Sequence, residues 1–181
     1  MHKMSNRLKI ELKLVSLTAM QGPGNPHAMI LKEVGGDRRL PIIIGPTEAQ
    51  SILTYVSQTP ILRPVTHDLT VGILQIFDVE VTEVLIYQVK GGVFYTFINM
   101  RREGEVKHVD SRPSDAIAIA LRCRAPIYVY EDILENERIR SKDEINSDKP
   151  SKRALELRLE RAVKDEDYEL AAVLRDQLNQ T

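Results

Sequence analysis

The chain has no tryptophan, one cysteine and only 5% aromatic residues in 181. Each shortage removes a class of explanation. With so few rings, an extensive base-stacking platform of the kind used by single-strand binders is not expected. A lone thiol, Cys123, forms no internal disulfide, which agrees with a reducing compartment. It shares an apolar helical face with Ala116, Ile119 and Ala120 and reads as a core residue. No stretch is long and apolar enough to span a membrane, and Met1-His2-Lys3-Met4-Ser5 lacks the apolar run of a signal peptide, so a cytoplasmic location is expected. Positive charge is not in excess either. Lys and Arg total 25 against 26 Asp and Glu, a net charge of −1, whereas sequence-independent polyanion binders usually carry a basic surplus. Nucleic-acid contact must then be local, with Arg38-Arg39, Arg101-Arg102 and the Arg122, Arg124 pair as the available clusters. The chain also lacks the Gly-rich nucleotide loop, a paired C-x-x-C and the G-x-S-x-G elbow.

What is present is an alternation of strand-like and helix-like segments. Leu8, Ile10, Leu12 and Leu14 alternate with polar residues as a half-buried strand does, and Gln21 to Pro26 breaks the chain into a loop. Ala28 to Val34 and Arg39 to Ile44 predict two more strands about the Gly35-Gly36-Asp37 turn, giving a three-stranded antiparallel start. After Gly45-Pro46 the period becomes helical, with Ala49, Ile52, Leu53 and Val56 on one side. A second helix is predicted from Thr66 as N-cap, with Leu69, Ile73, Ile76 and Phe77 inward. Val81 to Val89, Val93 to Met100 and Glu105 to Val109 predict three strands, followed by a helix from Pro113 to Arg124, a strand Ile127 to Tyr130 and an acidic helix from Glu131. Runs of strands followed by helices predict an α+β domain over 1–139, with a mainly antiparallel sheet and three or four packed helices.

Arg140 to Pro150 is polar and reads as a linker. Beyond it, Leu155, Leu159, Ala162 and Val163, then Leu170, Ala171, Leu174 and Leu178, form two amphipathic stripes around the acidic break Asp165-Glu166-Asp167. The run Asp167 to Asp176 behind this charged lead-in resembles the UVR motif, the helical hairpin of the excision-repair proteins UvrB and UvrC and of some protease adaptors. A C-terminal helical hairpin over 151–181 is thus expected. A hairpin this small buries too little to stand alone and needs a partner, a second copy or the main domain. The simpler alternative is a terminal helix pair docked on its own domain.

Three segments of the main domain concentrate chemically able residues: Leu40 to Gln50, Arg63 to Asp68, and Val109 to Ala118. In this order, and with Ala125-Pro126-Ile127-Tyr128-Val129 after the third, they resemble the bifunctional nuclease family over roughly Leu8 to Ile133. The resemblance implies nuclease activity on DNA and RNA, and some bacterial members carry a UVR hairpin. It supplies no role assignment residue by residue, so the site candidates rest on side-chain chemistry.

Phosphodiester cleavage needs an oriented nucleophile, neutralisation of charge on the phosphate and help for the leaving oxygen. His67, Arg112 and Asp115 are the catalytic candidates, because imidazole transfers protons near neutral pH and guanidinium grips phosphate as a fork. Arg63, Arg112 and Ser114 are the substrate-binding candidates. A metal-dependent route would use Glu48, Asp68, Asp110 and Asp115 to hold a divalent ion, Mg2+ or Mn2+. Asp110 at a strand end and Asp115 in the next helical turn are expected on one rim, with His108 near it. His2 and His27 carry no such expectation.

Each candidate also has a structural role open to it. Glu48 and Asp115 in first helical turns stabilise unsatisfied N–H groups, Ser114 and Asp68 can cap, and Arg112 can pair with Asp110 or Asp115. Two functions follow. One is a divalent-metal-dependent nuclease brought by its hairpin to a partner in repair or processing. The other is a non-catalytic anion- or protein-binding regulatory module whose Arg112-Pro113-Ser114 helix start holds an anion. Exposed edge strands and a narrow core add the expectation of a homo-oligomer.

Overall fold

Alternating side chains place β1 (Lys9–Ala19), β2 (His27–Glu33) and β3 (Arg39–Ile44) in one antiparallel ladder, with Leu12, Met29, Leu31, Leu40 and Ile42 buried on its inner face. The computed structural model describes residues 7–139. The expected linker and C-terminal hairpin lie outside the described residues.

After β3 the chain forms α1 (Pro46–Val56) and α2 (Thr66–Ile76), then a meander of β4 (Glu80–Lys90), β5 (Val93–Arg102) and β6 (Glu105–Ser111). Gly91 and Gly92 join β4 to β5 with φ of 58° and 76°, the left-handed pair that a two-residue hairpin of matching twist requires. Helix α3 (Pro113–Cys123), β7 (Ile127–Tyr130) and α4 (Glu131–Glu137) complete the described chain.

The strands form a seven-stranded mixed sheet in the order β3-β2-β1-β7-β4-β5-β6. Strand β7 joins the two meanders, antiparallel to β1 and parallel to β4, and this is the single parallel pairing among the described residues. The parallel step arises because β5, β6 and α3 intervene between β4 and β7, making a crossover instead of a hairpin. The architecture is α+β.

Helix α3 is apolar nearly all round. Ala116 to Ala120 are buried without a break, which requires cover on every side. It packs on β4 and β5 from one side and against α1 and α2 from the other, while α4 packs on β3, β4 and β7. Cys123 is partly buried against the same core, and burial pushes its thiol pKa up.

Two expectations about α2 are corrected. Its N-cap is Val65 and not Thr66, and the capping group is the Asp68 carboxylate, which accepts the Val65 N–H at 3.0 Å. Its inward residues are Val71 and Leu74, whereas Leu69, Ile73, Ile76 and Phe77 face outward. The helix is apolar on two sides, and periodicity alone does not say which of them meets the core. On α1 the inward set is Ala49 and Ile52, with Leu53 and Val56 left exposed near its end.

Deleting most of the Ile117 side chain leaves a cavity at the centre of α3. Ile117→Ala is expected to cost about 2–5 kcal/mol, and Val106→Ala on the open β6 edge to stay within about 0.5 kcal/mol. Urea unfolding midpoints compare the two.

Candidate active site

Three helix starts converge on one cleft of about 630 Å³. Glu48 stands in the first turn of α1, His67 in the first turn of α2 and Asp115 in the first turn of α3, with Arg112 as the α3 N-cap. Pro46 and Pro113 open their helices at positions where a missing N–H costs nothing.

Arg112 ties the first and third helices together. Its Nη1 donates to Glu48 Oε1 at 2.9 Å, while Nε and Nη2 donate to Asp115 Oδ2 and Oδ1 at 2.8 and 3.2 Å. These bonds use three of the five guanidinium N–H groups, leaving one N–H on each Nη. The side chain is 65% exposed, so the outer edge of the fork is open to solvent. Glu48 reaches this position by folding back over Gly45, where a Cβ would lie 2.4 Å from Glu48 Oε2.

His67 joins the second helix to the other two. Its Nε2 lies 3.1 Å from Asp115 Oδ1 and its Nδ1 lies 2.8 Å from Ser51 Oγ. A carboxylate only accepts, so Nε2 carries the proton toward Asp115 and Nδ1 accepts from the Ser51 hydroxyl. The continuous chain is therefore Ser51, His67, Asp115, Arg112, Glu48.

Burial pushes the Asp115 carboxyl pKa up, but hydrogen bonds from Arg112 and His67, with the charge on Arg112, outweigh it and hold the carboxyl below its ordinary range. Arg112 is in turn raised by the hydrogen bond and charge of Asp115, then by Glu48.

The remaining candidates lie elsewhere. Asp68 turns to Arg122, whose Nε donates to it at 2.5 Å and whose side chain is 4% exposed. Burial acts to raise Asp68, yet the Arg122 and Val65 hydrogen bonds leave it lowered. Asp110 accepts from Tyr87 Oη at 3.2 Å and stands opposite Phe97. The neighbouring Thr96 is buried on the helix side, so strand alternation carries Asp110 to the other face of the sheet. His108 shares that outer face, 4.5 Å from the Phe97 ring. The expected rim of Asp110, His108 and Asp115 is thus split between the two faces.

Ser114 is 6% exposed and lines, with Ile44 and Phe94, an adjoining hollow that shares Glu48 and Arg112 with the cleft but leaves Ser114 out of the cleft's own lining. Arg63 is exposed on the loop before α2 and is not among the residues lining the cleft. Among the described residues, no three His, Cys, Asp or Glu side chains come together as a metal-holding group.

Ser51 was not a sequence candidate. Its position three residues after Glu48, on the same side of α1, is the signal that would have pointed to it. Each of the three arginine clusters available to a polyanion has a member engaged by a carboxylate, Arg38 with Glu33 and Glu131, Arg101 with Glu80, and Arg122 with Asp68.

Family comparison agrees with this arrangement of segments. The family model of the bifunctional nuclease domain matches residues 29–142, and the chain belongs to that family. The model of the UvrB/uvrC motif matches residues 151–180. An uncharacterised protein of Mycobacterium tuberculosis is 38% identical over 124 residues, 68% of this chain and 73% of the relative. Bifunctional nuclease 1 of Oryza sativa subsp. japonica is 30% identical over 178 residues, 84% of this chain and 54% of that protein. Bifunctional nuclease 2 of the same rice is 27% identical over 121 residues, 64% of this chain and 37% of the relative.

Asp68→Asn removes the charge paired with a buried guanidinium and is expected to cost about 2–3 kcal/mol, less than the roughly 3–5 kcal/mol of a fully buried pair because Asp68 is partly exposed. Asp68 and Asp115 are both lowered from 3.8 in the folded state. Their contribution to stability is therefore full above that value and is lost as pH falls below it toward their folded values. Unfolding midpoints from pH 7 down to pH 3 should show this fall, and Asp68→Asn should show less of it.

Proposed function

We propose that the cleft is the active site of a nuclease that hydrolyses phosphodiester bonds in DNA or RNA. The observation that carries this reading is the convergence of three helix N-termini on the open edge of the Arg112 fork. Each helix start presents roughly half a positive charge, offset in part by the carboxylate in its first turn, and the Arg112 guanidinium adds a full charge beside them, which favours a bound phosphate. Membership of the bifunctional nuclease domain family supports the same chemistry.

In this reaction the two free N–H groups of Arg112 hold two non-bridging phosphate oxygens and stabilise the charge that develops on them. A water attacks phosphorus, and its proton passes to Ser51 Oγ as the Ser51 hydroxyl proton passes to His67 Nδ1. The phosphorus bond to the leaving oxygen breaks, and that oxygen is protonated by solvent. The imidazolium so formed is paired with Asp115 until it returns its proton to solvent, which replaces the one taken by the leaving oxygen. Glu48 positions Arg112.

The expected Mg2+ or Mn2+ has no place in these steps. Both Asp115 oxygens already accept from Arg112 and His67, so this arrangement does not fit a divalent ion without displacement of the guanidinium. The C-terminal segment that matches the UvrB/uvrC motif would bring the nuclease to a protein partner.

One observation favours a non-catalytic module that binds an anion or a protein. Glu48, Asp115 and Arg112 satisfy one another as a latch joining α1 to α3, an arrangement that structural ion pairs also adopt.

Incubation of the pure chain with labelled single- and double-stranded DNA and RNA, with Mg2+, with Mn2+ and with chelator, separates these readings. His67→Ala is expected to slow cleavage by about 10²–10⁴-fold and Arg112→Ala by about 10²–10³-fold, while Asp110→Asn leaves the rate unchanged. Cleavage that survives both active-site substitutions intact would refute the site. Absence of cleavage on every substrate, with phosphate binding retained, is the result expected of the module. RNA cleavage without DNA cleavage would replace the attacking water by the ribose 2′-hydroxyl.

A further inference from the structure

The hollow beside the cleft has no part in the reaction as described. It measures about 360 Å³ against 630 Å³ for the cleft, and both fall within the roughly 300–1,000 Å³ of small-ligand sites. Glu48 and Arg112 line both, and beyond these two the linings have no residue in common. The Arg112–Glu48 ion pair is therefore a ridge with a seat on each side.

The two seats differ in chemistry. Ile44, Val93, Phe94 and Pro113 give the smaller one an apolar wall, and apart from the shared pair no charged side chain lines it. A further phosphate would find no partner there, whereas a flat, uncharged group with apolar faces fits. Val93 is 55% exposed, so this seat opens to solvent. In the larger seat Thr47, Gln50 and Thr54 follow at i, i+3 and i+7 along one side of α1. The Gln50 amide donates to Thr54 Oγ1 at 3.3 Å, which leaves its carbonyl oxygen and one N–H for the polar edge of a ligand.

We propose that the two hollows hold the two nucleosides joined by the scissile phosphate, so that the substrate is a single strand laid across the Arg112–Glu48 ridge and cut at an internal linkage. This rests on the nuclease reading of Arg112 and extends it to the substrate. Position selects the occupants. A phosphodiester on the two free N–H groups of Arg112 carries one nucleoside on each side, and the seats adjoin that guanidinium on each side. A terminal phosphate would fill one seat and leave the other empty. A base enters either seat only when it is out of its stack, as splayed single-stranded nucleotides are and paired ones are not.

Steady-state cleavage by the full chain, on a labelled single strand and on the same sequence as a duplex, tests the proposal. The single strand is expected to be cut internally and with kcat/KM at least about tenfold above that of the duplex, which must first unstack. Val93→Asp places a carboxylate in the apolar seat and is expected to raise KM for the single strand at least about tenfold. Gln50→Ala is expected to raise it about two- to tenfold. Both act on KM more than on kcat, whereas Arg112→Ala acts on kcat. Circular dichroism confirms each fold, and Phe94→Leu, which stays apolar but removes the ring, carries the test of the smaller seat if Val93→Asp unfolds. Equal kcat/KM on the duplex, release of mononucleotides from an end, or a KM indifferent to the substitutions in both seats would overturn the proposal. If Arg112→Ala still abolished cleavage in that case, the nuclease site itself would stand. No cleavage by the wild type on any substrate would remove the nuclease reading and the two seats with it.

Discussion

Burial of α3 is the constraint on which the rest of the structure depends. From Ala116 to Ala120 every residue of the helix is buried, and its short alanines let the sheet, α1 and α2 approach it closely. Burying each large apolar side chain is worth about 1.5–3 kcal/mol, so the helix has a strong preference for one seat. Its first turn is where Arg112 and Asp115 stand. Because the helix is fixed by apolar packing, the polar groups at its start are held without having to provide that energy themselves. The same packing places α1 and α2 beside it, which brings Glu48, Ser51 and His67 into reach.

The polar network adds orientation more than stability. Arg112 is largely solvated, and ion pairs in that setting contribute on the order of 0–1 kcal/mol after screening. The Arg122 and Asp68 pair differs, since the guanidinium is enclosed and also donates to the carbonyls of Ala118 and Ser51. It stitches α2 to α3 and α1 from beneath. An enclosed pair and an open pair therefore stand side by side at the same helix junction. The enclosed one locks the helices, and the open one keeps a guanidinium edge available.

Much of this was legible in the sequence because local rules acted without competition. The strand alternation, the Gly91-Gly92 turn and the start of α3 at Pro113 follow from side-chain period and backbone chemistry, and the structure has them. Glu48, His67, Arg112 and Asp115 were readable as candidates because each is a titratable or charged group at a predicted helix start. Their meeting in one cleft was not readable, since it depends on how three helices pack. The face of the sheet taken by Asp110 depends on where β6 ends relative to its pleat, a matter of one residue. The direction of α2 was missed for a different reason. Its more hydrophobic side is turned away from its own core, and a single-chain reading assigns every strong apolar stripe to the inside. The place of β7, inserted between β1 and β4, is a property of long-range pairing that no local pattern encodes.

Sharing Asp115 between Arg112 and His67 has a consequence for the proposed reaction. Its oxygens accept from both groups, so each lowers the share of negative charge the carboxylate offers to the other. In the proposed reaction a phosphate on the two free N–H groups of Arg112 would draw on the guanidinium charge, and His67 would become the stronger partner of Asp115. The electrostatic support for an imidazolium then rises at the moment the attacking water must give up its proton. Before that moment Arg112 restrains the pair, and Glu48 holds Arg112 at the far end of the chain. In the proposed reaction, substrate arrival and proton transfer would be coupled in this way through one carboxylate. A separate carboxylate for each partner would hold both groups as firmly and would lose this coupling, which gives a chemical reason for the arrangement of one aspartate between an arginine and a histidine.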